Sequence, residues 1–264
     1  MTDPTPRGKV FGDLRVASVV TFDCYGTLVD WESGILAAMQ PVLARHGVEF
    51  TADGVLQAFA RAEAAVEAGP YVPYREVLRR TFTGMAADLG FAPREEEIGT
   101  LVRSLPAWPV YADTPASLRE LQRHAKVGII SNVDDDLFAA TVGSLGISPD
   151  FVVTAMQVGA YKPSRELFDV AEQRCAAFLG GDRRRWLHAA QSRFHDIRTA
   201  RRLGLQTAWV QRPKGRAGAV LEIEDLDEAE PFGSAEVREA ARPDVHVPDL
   251  ATLVQVLSDV AGWT

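Results

Sequence analysis

Cysteine is scarce in this chain. Cys24 and Cys175 are the only two, far apart and in no CxxC or zinc-type spacing. That excludes a disulfide framework and a thiolate metal site, and it reads as a reduced, intracellular protein. Long hydrophobic runs are also missing: no segment reaches the roughly 18 uncharged apolar residues of a spanning helix. The opening MTDPTPRGKVFGDLRV carries no apolar stretch of the secretory kind. The expectation is therefore a soluble, cytoplasmic protein with no membrane partner. Positive charge is in deficit, with 28 Lys and Arg against 36 Asp and Glu, a net charge of −8. A nucleic-acid partner is excluded on that ground, since binding needs a basic face to displace phosphate counterions. The one dense basic run, Arg183 to Arg185, follows Gly180-Gly181-Asp182 and reads as a solvated turn. There is no internal repeat and no low-complexity tract.

What is present is ordinary globular material: 264 residues, 47% apolar and 24% charged. The length suits one large domain, or a core domain carrying a smaller insert. Val16 to Phe22 is a short β-branched run ending at Asp23, and it reads as a strand buried on both faces. From about residue 31 to 105 no strand is legible. Helical spacing recurs over Trp31–His46, Gly54–Ala68, Tyr74–Leu89 and Arg94–Ser104, punctuated by Gly and Pro. Afterwards the chain alternates. Helices are predicted at Thr114–His124, Asp134–Leu145, after Ser164, at His195–Leu203 and at Leu250–Val260. Strands are predicted at Lys126–Ile130, Phe151–Ala155, Trp186–Ala190 and Gln206–Gln211. Such alternation implies an α/β fold, a parallel sheet wrapped by helices on both faces, with the helical block as an insert. Gly215–Pro243 reads as a long surface excursion.

In open α/β sheets, ligands bind beyond the carboxyl ends of the strands. Four strand ends here carry polar groups: Asp23, Ser131-Asn132, the loop with Tyr161-Lys162, and Gln191 to Asp196. In that order, FDCYGTL (Phe22 to Leu28), IISN (Ile129 to Asn132), YKPSRELF (Tyr161 to Phe168) and QSRFHD (Gln191 to Asp196) resemble the four motifs of the haloacid dehalogenase superfamily. The resemblance spans about residues 16 to 212. It implies a Rossmann-like core made of residues 1–29 and 107–264, with residues 30–106 as a helical cap domain. By resemblance only, a homodimer is a further expectation.

The chemistry of these residues agrees. A carboxylate fixed at a strand end, such as Asp23, can attack an electrophile and split a hard step into two. Thr27 lies across a tight turn that Gly26 permits, and can orient that carboxylate. Lys162 supplies positive charge beside it. Ser131 and Asn132 offer neutral donors for a substrate carboxylate or oxyanion. Superfamily phosphatases carry a second Asp two residues after the nucleophile, to protonate the leaving alcohol. Here that place holds Tyr25, which resembles the type II 2-haloacid dehalogenases. The resemblance then implies an Asp23 ester formed by displacing halide from a small 2-haloacid and hydrolysed to a 2-hydroxy acid. It implies no required metal or cofactor, with Asp196 orienting Lys162 or capping a helix.

Other positions depart from the dehalogenase pattern. Gln191, Ser192 and Arg193 replace the first residues of an SSN stretch, and Phe168 replaces a tyrosine. Arg61 is the candidate for a halide-binding cation in the cap, with Ala60 as the alternative occupant. Arg193 is a second candidate cation, or a surface ion pair. Trp31 walls the pocket or packs between core and cap. His188, inside a strand pattern, reads as a satisfied core histidine, and His195 as a candidate base of low rank. The remaining alternatives are a Mg²⁺-dependent phosphatase, a hydrolase acting on another group α to a carboxylate, and a non-enzymatic binding module.

Overall fold

The computed structural model describes residues 8–212 and 242–263. Two strands open the chain, β1 (Lys9–Val10) and β2 (Val19–Phe22). Four cap helices follow: α1 (Trp31–Arg45), α2 (Ala52–Glu67), α3 (Tyr74–Asp88) and α4 (Thr100–Ser104). The core then alternates through α5 (Thr114–Gln122), β3 (Lys126–Ser131), α6 (Asp135–Val142), β4 (Phe151–Thr154), α7 (Ala155–Val158), α8 (Glu166–Leu179), β5 (Trp186–Ala190), α9 (Arg198–Arg202), β6 (Gln206–Val210), β7 (Val245–Val247) and α10 (Leu250–Ala261). The sheet runs β1-β7-β6-β5-β2-β3-β4. Every pairing is parallel except that of β1 with β7.

Strand β2 is fully buried and lies between β5 and β3, with Phe22 opposite Ala189 and Ile129. Its neighbours leave it in opposite directions along the sheet, which makes its carboxyl end the switch-point crevice of an open α/β fold. One apolar cluster covers the face with α5, α6 and α10 (Phe22, Ile129, Leu118, Phe138, Leu253) and continues into the cap. The other covers the opposite face with α8 and α9 (Val19, Ile130, Leu167, Trp186, Ala200). No helix among the described residues is long and apolar enough to cross a membrane.

The chain enters and leaves the cap side by side. The Asp30 N–H donates to the Pro109 carbonyl (2.8 Å) and the Tyr111 N–H to the Leu28 carbonyl (3.0 Å). A second tie comes from the core. Helix α3 begins after Pro73, which has no capping side chain, so the buried Asp134 caps it instead. Its carboxylate accepts from the backbone N–H groups of Tyr74 (2.8 Å) and Arg75 (3.0 Å). That arrangement satisfies two orphan donors and sets negative charge at the positive helix end.

The sequence reading and the structure differ at element ends. Val16 is exposed and the strand begins at Val19. The helix predicted over Arg94–Ser104 is broken: a 3₁₀ turn at Glu95–Glu97 precedes α4, because the Glu97 carboxylate turns back to the Arg94 N–H (2.9 Å). The helix predicted at His195–Leu203 opens as a π turn over Arg193–Ile197. Strands β1 and β7 have no counterpart in the sequence reading; at two and three residues they are too short for a periodicity signal. Most of Gly215–Pro243 lies outside the described residues.

Packing at the cap root generates one test. Gly34 in α1 lies under Trp108, and a Cβ there would stand 2.3 Å from the indole. Helix propensity would gain about 1 kcal/mol from Gly34→Ala. Overpacking of this kind costs about 1–3 kcal/mol, and a contact that short belongs at the upper end. Gly34→Ala is therefore expected to lower stability in denaturant unfolding; a stabilised variant would contradict this packing.

Candidate active site

Asp23 follows β2 directly, and its N–H still donates to Ala189 of β5 (3.2 Å). The Cys24 carbonyl then collects the N–H groups of Thr27, Leu28 and Val29. This hairpin-tight turn requires φ +96° at Gly26, a conformation other residues rarely adopt. The turn brings Thr27 back over the strand end, where its Oγ1 donates to Asp23 Oδ2 at 2.9 Å. Thr27 Oγ1 accepts in turn from the Gln191 N–H at 2.9 Å. Buried Arg212 holds the Thr27 carbonyl (2.8 Å) and pairs with Asp113.

Lys162 reaches the same carboxylate from the loop after β4. Its Nζ donates to Asp23 Oδ1 at 2.7 Å, to Asp196 Oδ1 at 2.6 Å and to the Ile130 carbonyl at 3.0 Å. All three ammonium protons are thereby used. The loop itself is held by Asn132. Its Oδ1 accepts from the Lys162 N–H (2.7 Å) and its Nδ2 donates to the Lys162 carbonyl (3.2 Å). Asn132 thus positions the lysine, with one N–H and one lone pair of its amide still available.

Asp196 comes from the π turn, and a buried relay orients it. Trp186 Nε1 donates to Thr21 Oγ1 (2.7 Å), which lies 2.9 Å from His188 Nδ1. His188 Nε2 stands 3.0 Å from Asp196 Oδ1, a carboxylate that only accepts, so the ring N–H donates to it. His188 is a satisfied core histidine, as its strand pattern predicts, yet its partner belongs to the site. Alternation alone carries no signal of that partner.

Charge is balanced unevenly over this triad. Burial raises the Asp23 carboxyl above its ordinary value, with the Lys162 ammonium pulling the other way. Burial would also raise Asp196, but Lys162 and His188 hold it down to about 2. Burial disfavours the Lys162 ammonium, but the two carboxylates more than compensate and raise it. Asp23 is the member that most readily takes a proton.

Ser131 closes β3 with its Oγ fully buried and without a hydrogen-bond partner among the described residues. Such orphans are rare and call for a partner from elsewhere. Tyr25 turns its hydroxyl to Thr141 of α6 (2.9 Å) and its ring edge to Trp108. Burial pushes the Tyr25 phenol well above the usual range, so it is no proton donor near neutrality. Trp31 lies over Gly26 and packs on Phe59 of α2, at the seam of core and cap. Arg193 stacks over Trp209 at 5.4 Å. His195 bonds Ser192, and burial pushes it down to about 4, leaving it uncharged at neutral pH.

Arg61 does not fit its predicted role. Its guanidinium is more than half exposed on the cap surface and bonds Asp88 of α3 at 3.0 Å. The residue types at helical spacing could not distinguish that face from the inner one. The sequence reading did not single out Glu63 of α2, whose carboxylate accepts from the Tyr74 hydroxyl at 2.8 Å.

The donor set fits Mg²⁺ poorly. Mg²⁺ is usually held by one or two carboxylates with waters and substrate phosphate; the two available here, Asp23 and Asp196, are already bridged by the Lys162 ammonium.

Removing the ammonium tests this balance. Lys162→Met leaves two carboxylates buried together without a counter-charge, which is expected to destabilise the fold by about 3 kcal/mol in denaturant unfolding. Unchanged stability would mean that the bridge carries no charge compensation.

Comparison with known proteins follows the same lines. Among curated proteins no sequence matches. Among solved structures, a defluorinating L-2-haloacid dehalogenase superposes with a TM-score of 0.71 at 23% identity, covering 91% of this chain and 95% of its own. The L-2-haloacid dehalogenase of Xanthobacter autotrophicus gives 0.71 at 22% identity, covering 94% and 100%. A HAD-hydrolase from Bacillus subtilis, YfnB, solved with magnesium, gives 0.65 at 17% identity, covering 81% and 99%. At these identities the likeness establishes the fold. The family model for haloacid dehalogenase-like hydrolases matches residues 17–204, well over half the sequence. The chain belongs to the haloacid dehalogenase-like hydrolase family.

Proposed function

We propose that this hydrolase displaces halide from the α-carbon of short 2-haloacids, with Asp23 as the nucleophile. An Asp23 oxygen bonds to the α-carbon, and the carbon–halogen electron pair leaves with the halide. Water then adds to the ester carbonyl, releasing the 2-hydroxy acid, a proton and the free Asp23 carboxylate. The observation that carries this reading is the pairing of a firmly oriented Asp23 with a Tyr25 whose hydroxyl is committed to Thr141. An alkoxide leaving group needs a proton from a group near neutrality; a halide ion needs none. Lys162 offsets charge while the carboxylate attacks, and Thr27 fixes the carboxylate plane. The unpartnered Ser131 hydroxyl suits the substrate carboxylate. Likeness to the Xanthobacter enzyme, also solved with chloropropionic acid covalently bound, supports the reading.

The phosphatase alternative rests on retained Asp196 and the magnesium-bound neighbour. It requires a second acid that Tyr25 does not supply, and a metal that would share both its carboxylates with Lys162.

Incubation with racemic 2-chloropropanoate is expected to release chloride at a rate unaffected by EDTA. Release from none of several 2-haloacids, with Mg²⁺-dependent turnover of p-nitrophenyl phosphate, would favour the phosphatase. Asp23→Asn is expected to lower kcat by on the order of 10⁶-fold, as for removal of a covalent nucleophile. A pH profile checks the electrostatics. The nucleophile must be ionised, and burial raises its pKa, so kcat/KM falls as pH drops through a midpoint above the ordinary 3.8. A midpoint below 3.8 would contradict it.

A further inference from the structure

A buried guanidinium stands behind the catalytic turn. Arg212 follows β6, two strands along the sheet from β2, and is only 6% exposed. Buried arginines are rare unless their charge is paired, and this one does more than pair. Its Nη1 donates to both oxygens of Asp113 at 2.8 Å, and its Nη2 to the Thr114 hydroxyl at 3.3 Å. Its Nε donates to the Thr27 carbonyl at 2.8 Å. Its Cζ lies over the Tyr111 ring, 4.2 Å from the centroid.

Tyr111, Asp113 and Thr114 stand where the chain returns from the cap. That segment is bonded to the outgoing one: the Leu28 carbonyl accepts from the Tyr111 N–H (3.0 Å) and from the Thr114 hydroxyl (3.1 Å). Asp113 also accepts from the Leu250 N–H of α10 at 2.7 Å. Arg212 thereby ties the turn to a frame of three separate segments. Thr27 depends on that tie. Of the N–H groups that the Cys24 carbonyl collects, the one from Thr27 is the most distant, at 3.3 Å. The contact of its carbonyl with Arg212 is shorter and charge-assisted, so it is the firmer anchor. Threonine is stiff at χ1, so a fixed backbone aims the hydroxyl. That hydroxyl donates to Asp23 Oδ2 at 2.9 Å.

We propose that Arg212 is a positioning residue for the nucleophile: by holding the Thr27 carbonyl against the cap's return linker, it aims the hydroxyl that orients the Asp23 carboxylate. The inference rests on Asp23 as the attacking group, as in the reading above, and not on which leaving group departs. A guanidinium suits the task where an ammonium does not. Its planar fork addresses Thr27, Asp113 and Thr114 in one fixed geometry, whereas a lysine would bring a point charge on a flexible stem.

A kinetic cycle of Arg212→Lys, Thr27→Val and the double variant tests this. Arg212→Lys keeps a positive charge beside Asp113 and loses the fork. It is expected to lower kcat for chloride release from 2-chloropropanoate about 10²-fold, as a small misplacement does, with KM moving less than about threefold. In the Thr27→Val background the same change is expected to lower kcat by less than about threefold, because the hydroxyl it aims is gone. A merely structural role would give losses that multiply in the double variant. Multiplied losses, or an unchanged kcat in folded Arg212→Lys, overturn the proposal. If Arg212→Lys does not fold, Asp113→Asn takes its place in the cycle. It keeps the guanidinium but loosens its seat, and about a tenfold loss of kcat is expected, again only where Thr27 is present. If the wild type turns over p-nitrophenyl phosphate and releases no halide, the halide reading fails and the same cycle on that substrate decides for Arg212, since either reaction uses Asp23. A crystal structure of Arg212→Lys gives a readout without turnover. Thr27 Oγ1 is expected to leave hydrogen-bond reach of Asp23 Oδ2, and a hydroxyl that stays there overturns the assignment.

Discussion

The site depends on one buried ammonium. Lys162 Nζ lies between Asp23 Oδ1 and Asp196 Oδ1 and also holds the Ile130 carbonyl. Without it, two carboxylates would share a dry pocket, an arrangement that normally forces one to take up a proton. With it, one net negative charge remains over three groups. Asp196, backed by His188, keeps its charge most firmly, so Asp23 is left as the more reactive partner. The charge-assisted contact is therefore asymmetric: Asp196 is held by a relay, and Asp23, the proposed nucleophile, by a single threonine.

The cap answers a different need. Core and cap are joined by the paired linkers, by Asp134 at the start of α3, and by Trp31 over the catalytic turn. These contacts exclude water around Asp23, which strengthens each electrostatic interaction there.

Much of this was legible in the sequence. FDCYGTL places a carboxylate, a glycine turn and an orienting threonine within five residues, so chain connectivity alone forces Thr27 back onto Asp23. The buried strands read clearly because they are β-branched and bounded by turn residues. What stayed hidden was the direction of side chains on amphipathic helices. Arg61 and Glu63 are two positions apart on α2, yet one lies on the surface and the other bonds the Tyr74 hydroxyl of α3. Which stripe of α2 turns inward is decided by packing against α3 and the core, information the local pattern does not hold. His188 was hidden for a related reason: burial is legible from strand periodicity, the identity of a hydrogen-bond partner eight residues away is not. Asn132 was half legible: its place at a strand end was clear, its hold on the lysine loop was not.

The central claim is that a carboxyl oxygen of residue 23 bonds to substrate carbon and is freed by attack of water on the resulting ester. A single turnover of enzyme in excess over 2-haloacid, run in ¹⁸O water and followed by mass spectrometry of the peptide containing Asp23, measures it directly. The account predicts one heavy oxygen in the Asp23 side chain and none in the 2-hydroxy acid from that first turnover. A heavy oxygen in the product hydroxyl with an unlabelled Asp23 would mean direct attack by water, and the account would be wrong.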